Sequence, residues 1–301
     1  MVLRTWQRAA VGIGIAAGLA FCVALAVGFC VALGDRDQTA VAVIGTAQVD
    51  QILAPRQFDK FGGVIGSDFG VTGTPAIALS VGGVLRVVDD LAAARPRTRD
   101  VNITGSQPSS LALDPDGTML AIADGYLGVL NQNGEIVHGL PLPYADMRLA
   151  PSSLEGFTYL FGGVGDDFRL YRFVADGTLQ IVLKSDEPIV AAADGPDGIY
   201  AATASTIMRV KAGRPEILFK APDEDFAGPI RSIAIGDDGA VFFATDTKVY
   251  VLLGPNALSI VNDAGGAIRV RDGALYVLDP QRKILFRLKP ASAQLISQVA
   301  G

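Results

Sequence analysis

At 301 residues, half of them apolar, the chain is long enough for one or two domains with a sizeable core. Its net charge is −6; with Arg4 and Arg8 at the amino terminus set aside, the remainder carries 23 basic against 31 acidic residues. An acidic surface argues against nucleic acid as a partner, which needs basic patches, and against flat docking on anionic lipid.

Residues 9–34 form an uncharged run of 26 residues, longer than the roughly 20 that a membrane span requires. Arg4 and Arg8 precede it; Asp35, Arg36 and Asp37 follow. The basic flank stays in the cytoplasm, so the carboxyl-terminal domain is expected on the periplasmic side of the inner membrane. Ala32-Leu33-Gly34 would also suit signal-peptide cleavage. The length of the run favours an uncleaved anchor, since a signal core spans about 7–15 residues. Cys22 and Cys30, the two cysteines, both lie in this run and both follow Phe, against a lipoprotein site. The domain beyond therefore has neither a disulfide framework nor a thiolate metal site. Gly14 and Gly18 make a GxxxG pattern that allows close helix packing, although export segments are commonly rich in small residues.

The chain thus divides into a cytoplasmic tail (1–8), a transmembrane signal anchor (9–34), a tether with a candidate ring-closing strand (35–74) and a repetitive domain (75–301). In the tether, residues 40–44 suit a strand and 48–55 a short helix or loop. The glycines from Gly66 to Gly73 read as turns or linker.

From residue 75 onward one pattern returns about every forty residues: apolar strand, tight turn, apolar strand, third strand. Leu111-Ala-Leu-Asp-Pro-Asp-Gly117, Ala191-Ala-Ala-Asp-Gly-Pro-Asp-Gly198, Ile233-Ala-Ile-Gly-Asp-Asp-Gly239 and Ile268-Arg-Val-Arg-Asp-Gly273 carry it. Such a period predicts an all-β propeller of six blades, or seven if residues 35–73 form one. Units are expected at 76–88, 109–137, 147–183, 189–219, 230–261 and 267–296. Ala112, Ala191, Ala192, Ala193 and Ala234 suit crowded inner strands. A solenoid is the other architecture such repeats build, but no capping segment is evident.

Leu111 to Thr118 followed by Ala121-Ile-Ala-Asp124, and Tyr276-Val-Leu-Asp279 followed by Ile284-Leu-Phe286, resemble repeats of the NHL and SMP-30/gluconolactonase-like propellers. The resemblance implies a propeller; in the lactonase branch it also implies a divalent cation held by Glu, Asn and Asp from inner strands. The matching positions here read Pro108-Ser-Ser110, Pro188-Ile-Val190 and Pro229-Ile-Arg231. Ile and Arg are poor ligands for a hard cation, so no metal residue, cofactor or catalytic residue is assigned.

Asp89, Asp124, Asp246 and Asp279 recur after second strands, as expected of turn carboxylates rather than catalysts. Asp166-Asp167 reads as solvated loop charge. His138, the sole histidine, reads as an exposed loop residue. Asp223, Glu224, Asp225 and Phe226 form an acidic loop suited to contacting a partner. The function expected from these features is an anchored scaffold or accessory subunit, bound to a membrane or envelope protein. The alternative is an SMP-30-like metal-dependent lactonase acting on a small exported substrate.

Overall fold

The computed structural model describes residues 42–43, 48–53, 65–71, 77–81, 84–89, 97–102, 108–113, 118–131, 135–150, 158–174, 178–222 and 226–289. Two strands come first, Ala42–Val43 (β1) and Gln48–Leu53 (β2). Six antiparallel sheets are then found among the described residues. The first comprises Ile65–Val71 (β3), Ile77–Val81 (β4), Val84–Asp89 (β5) and Arg97–Asn102 (β6). The second is Ser110–Leu113 (β7), Met119–Ala123 (β8), Tyr126–Leu130 (β9) and Ile136–Pro141 (β10). The third is Arg148–Ala150 (β11), Thr158–Val164 (β12), Asp167–Phe173 (β13) and Leu179–Ser185 (β14). The fourth is Ala191–Gly195 (β15), Gly198–Ala202 (β16), Thr206–Lys211 (β17) and Arg214–Lys220 (β18). The fifth is Ser232–Ile235 (β19), Val241–Ala244 (β20), Lys248–Leu253 (β21) and Asn256–Asn262 (β22), with β1 paired on the outside of β22. The sixth takes Ala267–Arg271 (β23), Ala274–Asp279 (β24) and Ile284–Lys289 (β25), and its fourth strand is β2.

The first strands of the sheets are neighbours in sequence order, β3 to β7, β11, β15, β19 and β23, and β23 returns to β3. This is an all-β propeller closed on itself. Closure leaves each sheet buried on both broad faces. The core is accordingly split into apolar clusters between adjacent sheets, one example joining Leu85 and Val87 to Leu111, Met119, Ala121 and Leu130. The alanines expected near the axis lie there: Ala112, Ala191–Ala193 and Ala234 are buried on β7, β15 and β19.

Three expectations need correction. Ile65–Val71, read as turn or linker, is the inner strand of the first sheet. Gln48–Leu53, read as a short helix or loop, is a strand that completes the last sheet; it lies within residues 35–74, where a ring-closing strand was the other expectation. The sheets therefore take in residues upstream of 75. His138 lies not in a loop but on β10, an outermost strand, where it is exposed. The apolar run 9–34, with Gly14 and Gly18, lies outside the described residues. Among those described, no helix is long and apolar enough to cross a membrane.

A cross-strand ladder recurs from sheet to sheet. Tyr200 faces Arg209, which faces Glu216. Tyr276 faces Arg287, which faces Asp50. Tyr159 faces Arg172, which faces Gln180. In the first sheet Arg86 faces Asp100. Directly opposed side chains of opposite charge or complementary shape stabilise a sheet pair. Arg287 donates from Nε to Asp50 at 2.9 Å across 237 residues of sequence, and Arg86 donates from Nε to Asp100 at 2.7 Å. The hydrogen bond from Arg209 holds the Glu216 carboxyl below the ordinary carboxylate range. Outer strands also repeat a bulge: register shifts at Ile52, Val137, Val182, Leu218 and Ile260. Such bulges increase local twist and turn sheet edges away from edge-to-edge pairing.

Two further repeats fix the inner strands and turns. The buried Ser110 hydroxyl accepts the Leu149 N–H from the next sheet at 3.0 Å, and the buried Ser232 hydroxyl accepts the Ile268 N–H at 3.1 Å. After second strands, Thr203, Thr245 and Asp279 each accept backbone N–H groups two and three residues on. Asp279 thus plays the expected turn role, and Asp124 opens its turn at φ 50°. Asp246 does not cap its turn; Thr245 does, and Asp246 pairs with an arginine described below. The Asp89 side chain lies outside the described residues.

Replacing Ser110 with Ala leaves a buried N–H unsatisfied and is expected to cost about 1–3 kcal/mol in chemical denaturation. Asp50→Ala removes a charged partner from the closing strand and is expected to cost about 1–3 kcal/mol. Ala212 sits at φ 49° and is exposed. Ala212→Asn, which tolerates that backbone better, is expected to raise stability by about 0.5–1 kcal/mol in the same assay.

Candidate functional site

Where the inner strands begin, four sheets converge on a cavity of about 250 Å³. Arg148 is the first residue of β11, Val190 precedes β15, Arg231 and Ser232 sit at the start of β19, and Arg269 is on β23. Asp246 and Pro280 reach the same mouth from the turns after β20 and β24. Antiparallel geometry explains the grouping, because a second strand ends where its inner strand starts. Small residues keep the space open: Ala191, Ala192, Gly266 and Ala267 line it. Gly266 adopts φ 105° and donates its N–H to the Thr245 carbonyl at 2.7 Å, which ties the fifth sheet to the sixth.

The polar groups at this mouth are mainly cationic. Arg231 grips Asp246 bidentately, Nε to Oδ1 at 3.0 Å and Nη2 to Oδ2 at 2.9 Å. Both side chains are substantially exposed, 51% and 40%, so solvent screening leaves this pair a small role in stability. It does hold both groups in one geometry at the rim. Arg269 donates from Nη1 to its neighbour's carbonyl, Ile268 O, at 2.7 Å and lies over the Phe69 ring at 5.5 Å. That cation–π contact links the sixth sheet to the first. Arg148 is exposed and makes no ion pair among the described residues.

The divalent cation that resemblance to the lactonase branch would imply finds no suitable donors among the described residues. Calcium takes six to eight oxygen ligands, mostly carboxylate and carbonyl. Among the described residues the only carboxylate lining the cavity is Asp246, which is engaged by Arg231, and three guanidinium groups share the same mouth. Among the described residues no cluster of three His, Cys, Asp or Glu side chains could hold a metal. The described residues at this mouth therefore do not fit a divalent cation, and no catalytic step is routed through one.

No family model matches the chain, and no curated protein matches it. Solved structures do. A gluconolactonase of Xanthomonas campestris superposes with a TM-score of 0.57 at 13% identity, over 84% of this chain and 98% of the other. A streptogramin B lyase gives 0.57 at 13%, over 81% and 97%. Regucalcin of Agrobacterium tumefaciens, a calcium-binding protein, gives 0.58 at 16%, over 77% and 92%. The chain shares the β-propeller fold of these proteins. At these identities the likeness concerns the fold alone.

The sequence-based candidates fall elsewhere. Asp223, Glu224 and Asp225 lie outside the described residues. Phe226 is half-buried in an aromatic stack, 5.0 Å from Tyr250 and 5.7 Å from Phe243 between ring centroids, where it packs the fourth sheet against the fifth. Asp167 pairs with Arg169 on its own strand. The sequence did place Val190 and Arg231 at inner-strand starts, and both line the cavity. It missed Arg148, Ser232 and Arg269, whose convergence has no local signature.

A calcium titration followed by calorimetry is expected to show no site tighter than about 1 mM, the weak end of protein calcium sites. Micromolar binding that Asp246→Asn abolishes would contradict the reading of this mouth.

Proposed function

We propose that this chain is a propeller whose channel mouth holds a small molecule, displayed outside the membrane by the apolar run 9–34. One observation carries the reading: four inner-strand starts converge on a cavity of about 250 Å³ walled by apolar and arginine side chains. A shaped concave site with a few convergent polar groups is the usual form of a small-ligand site. The solved neighbours support it over a pure scaffold, since gluconolactonase and streptogramin B lyase are named for chemistry on small molecules. The ring is read as six-bladed, in keeping with the six sheets found among the described residues.

Lactone hydrolysis is the second reading, favoured by the gluconolactonase likeness. Its metal-dependent form conflicts with the donor set that the described residues present at the mouth. The acidic loop Asp223 to Phe226 is retained as the contact for a membrane or envelope protein, with no nucleic acid involved.

Crystals soaked with a library of neutral and charged fragments test the site. Fragments are expected to cluster against Arg148, Phe161 and Ile233. Occupancy confined to the outer rim would overturn the proposal. In parallel, hydrolysis of D-glucono-1,5-lactone is expected to stay at the uncatalysed rate with or without calcium. Calcium-dependent turnover would establish the lactonase reading instead.

A further inference from the structure

The charge at the channel mouth runs against the charge of the protein. The chain is acidic overall, at −6. Yet among the described residues the cavity is lined by Arg148, Arg231 and Arg269 with a single carboxylate, Asp246. Resting on the small-ligand reading above, we infer that the channel mouth binds an organic monocarboxylate, received by Arg148 and Arg231, without a metal.

The three arginines have different work. Arg269 is held inward by the Ile268 carbonyl and lies over Phe69, so it lends charge from the wall. Arg231 spends Nε and Nη2 on Asp246, which leaves Nη1. Asp246 thereby fixes the plane of that guanidinium before a ligand arrives. Arg148 is exposed at the first position of β11, with no ion-pair partner among the described residues. A guanidinium presents paired N–H donors that match the two oxygens of a carboxylate, which an ammonium does not.

The size and walls narrow the class. Leu149, Phe161, Val190 and Ile233 line the same space, so part of the ligand must be apolar. A heavily hydrated dianion would lose solvation against these walls and would meet Asp246 as well. A single carboxylate on a compact apolar body satisfies both constraints. Both receiving arginines are solvent-exposed, so the attraction is screened and weakens as salt rises.

The test uses the full chain in mild detergent with EDTA present, and two probes of one shape, phenylacetate and phenylacetamide. Ligand-observed NMR and calorimetry should show phenylacetate bound at least tenfold more tightly than the amide, with affinity falling as salt rises. Arg148→Met should weaken phenylacetate at least tenfold, Arg148→Lys should recover part of the loss, and Arg214→Met on an outer strand should change nothing. Equal thermal unfolding of the variants confirms that they fold. Equal affinity for acid and amide would overturn the inference while leaving a small-ligand site. So would binding of neither probe where neutral fragments still occupy the soaked channel. An empty channel in the soaks would overturn the small-ligand reading and this inference together.

Discussion

The seam between the last sheet and the first is the constraint on which the structure depends. A ring of sheets has no stable edge only if its two ends meet. Here they meet through β2, which is drawn from far upstream to become the outermost strand of the sixth sheet. Ile52 and Leu53 enter the same apolar cluster as Tyr276, Leu278 and Leu285 of that sheet and Phe69 and Val88 of the first. The fully buried rings and aliphatic groups at this seam do for the closing joint what the other inter-sheet clusters do within the continuous chain. Each such buried side chain contributes on the order of 1.5–3 kcal/mol, so the seam is a large fraction of a domain's net stability.

Asp50 shows how closely the borrowed strand imitates a native one. It faces Arg287 as Glu216 faces Arg209 and as Asp100 faces Arg86. The Arg287 guanidinium also reaches the Tyr276 hydroxyl, whose proton is held more tightly because the phenol is buried. β1 continues the wrapping by pairing with β22 of the fifth sheet, Ala42 opposite Asn262. The upstream chain thus covers one outer edge and completes another. The inner strands that this closure aligns are the ones whose starts form the arginine-lined mouth. Fold and site are linked through the same ring, since displacing β23 would move Arg269 away from Phe69 and Gly266 away from Thr245.

The repeats were legible where local chemistry dictates them. Asp272-Gly273 turns with both residues at positive φ, as its composition demands, and the alanine runs of β15 lie at the crowded axis. The strand Ile65–Val71 was hidden because two glycines, a serine and an aspartate fill its middle, a composition that reads as a turn; its neighbours in the sheet settle its conformation. A ring-closing strand was expected within residues 35–74, but its place at Gln48–Leu53 was hidden for a different reason: its partner β25 lies far downstream, 237 residues from Asp50 to Arg287, and no window of sequence contains both. At the site, Arg231 was legible as a poor metal ligand, and the structure places it on the cavity. The grouping of Arg148 with it arises only when the third and fifth sheets converge. Charge placement in a ring is a non-local property, which explains why fold was read more fully than function.

Hydrogen exchange of the intact chain, resolved by peptide, tests the closed ring most directly. The account predicts that the amides of residues 48–53 exchange as slowly as those of 284–289, because the two strands share one ladder and open only together. Rapid exchange of 48–53 beside a protected 284–289 would show that β2 does not close the ring, and would remove the basis for a rigid channel mouth.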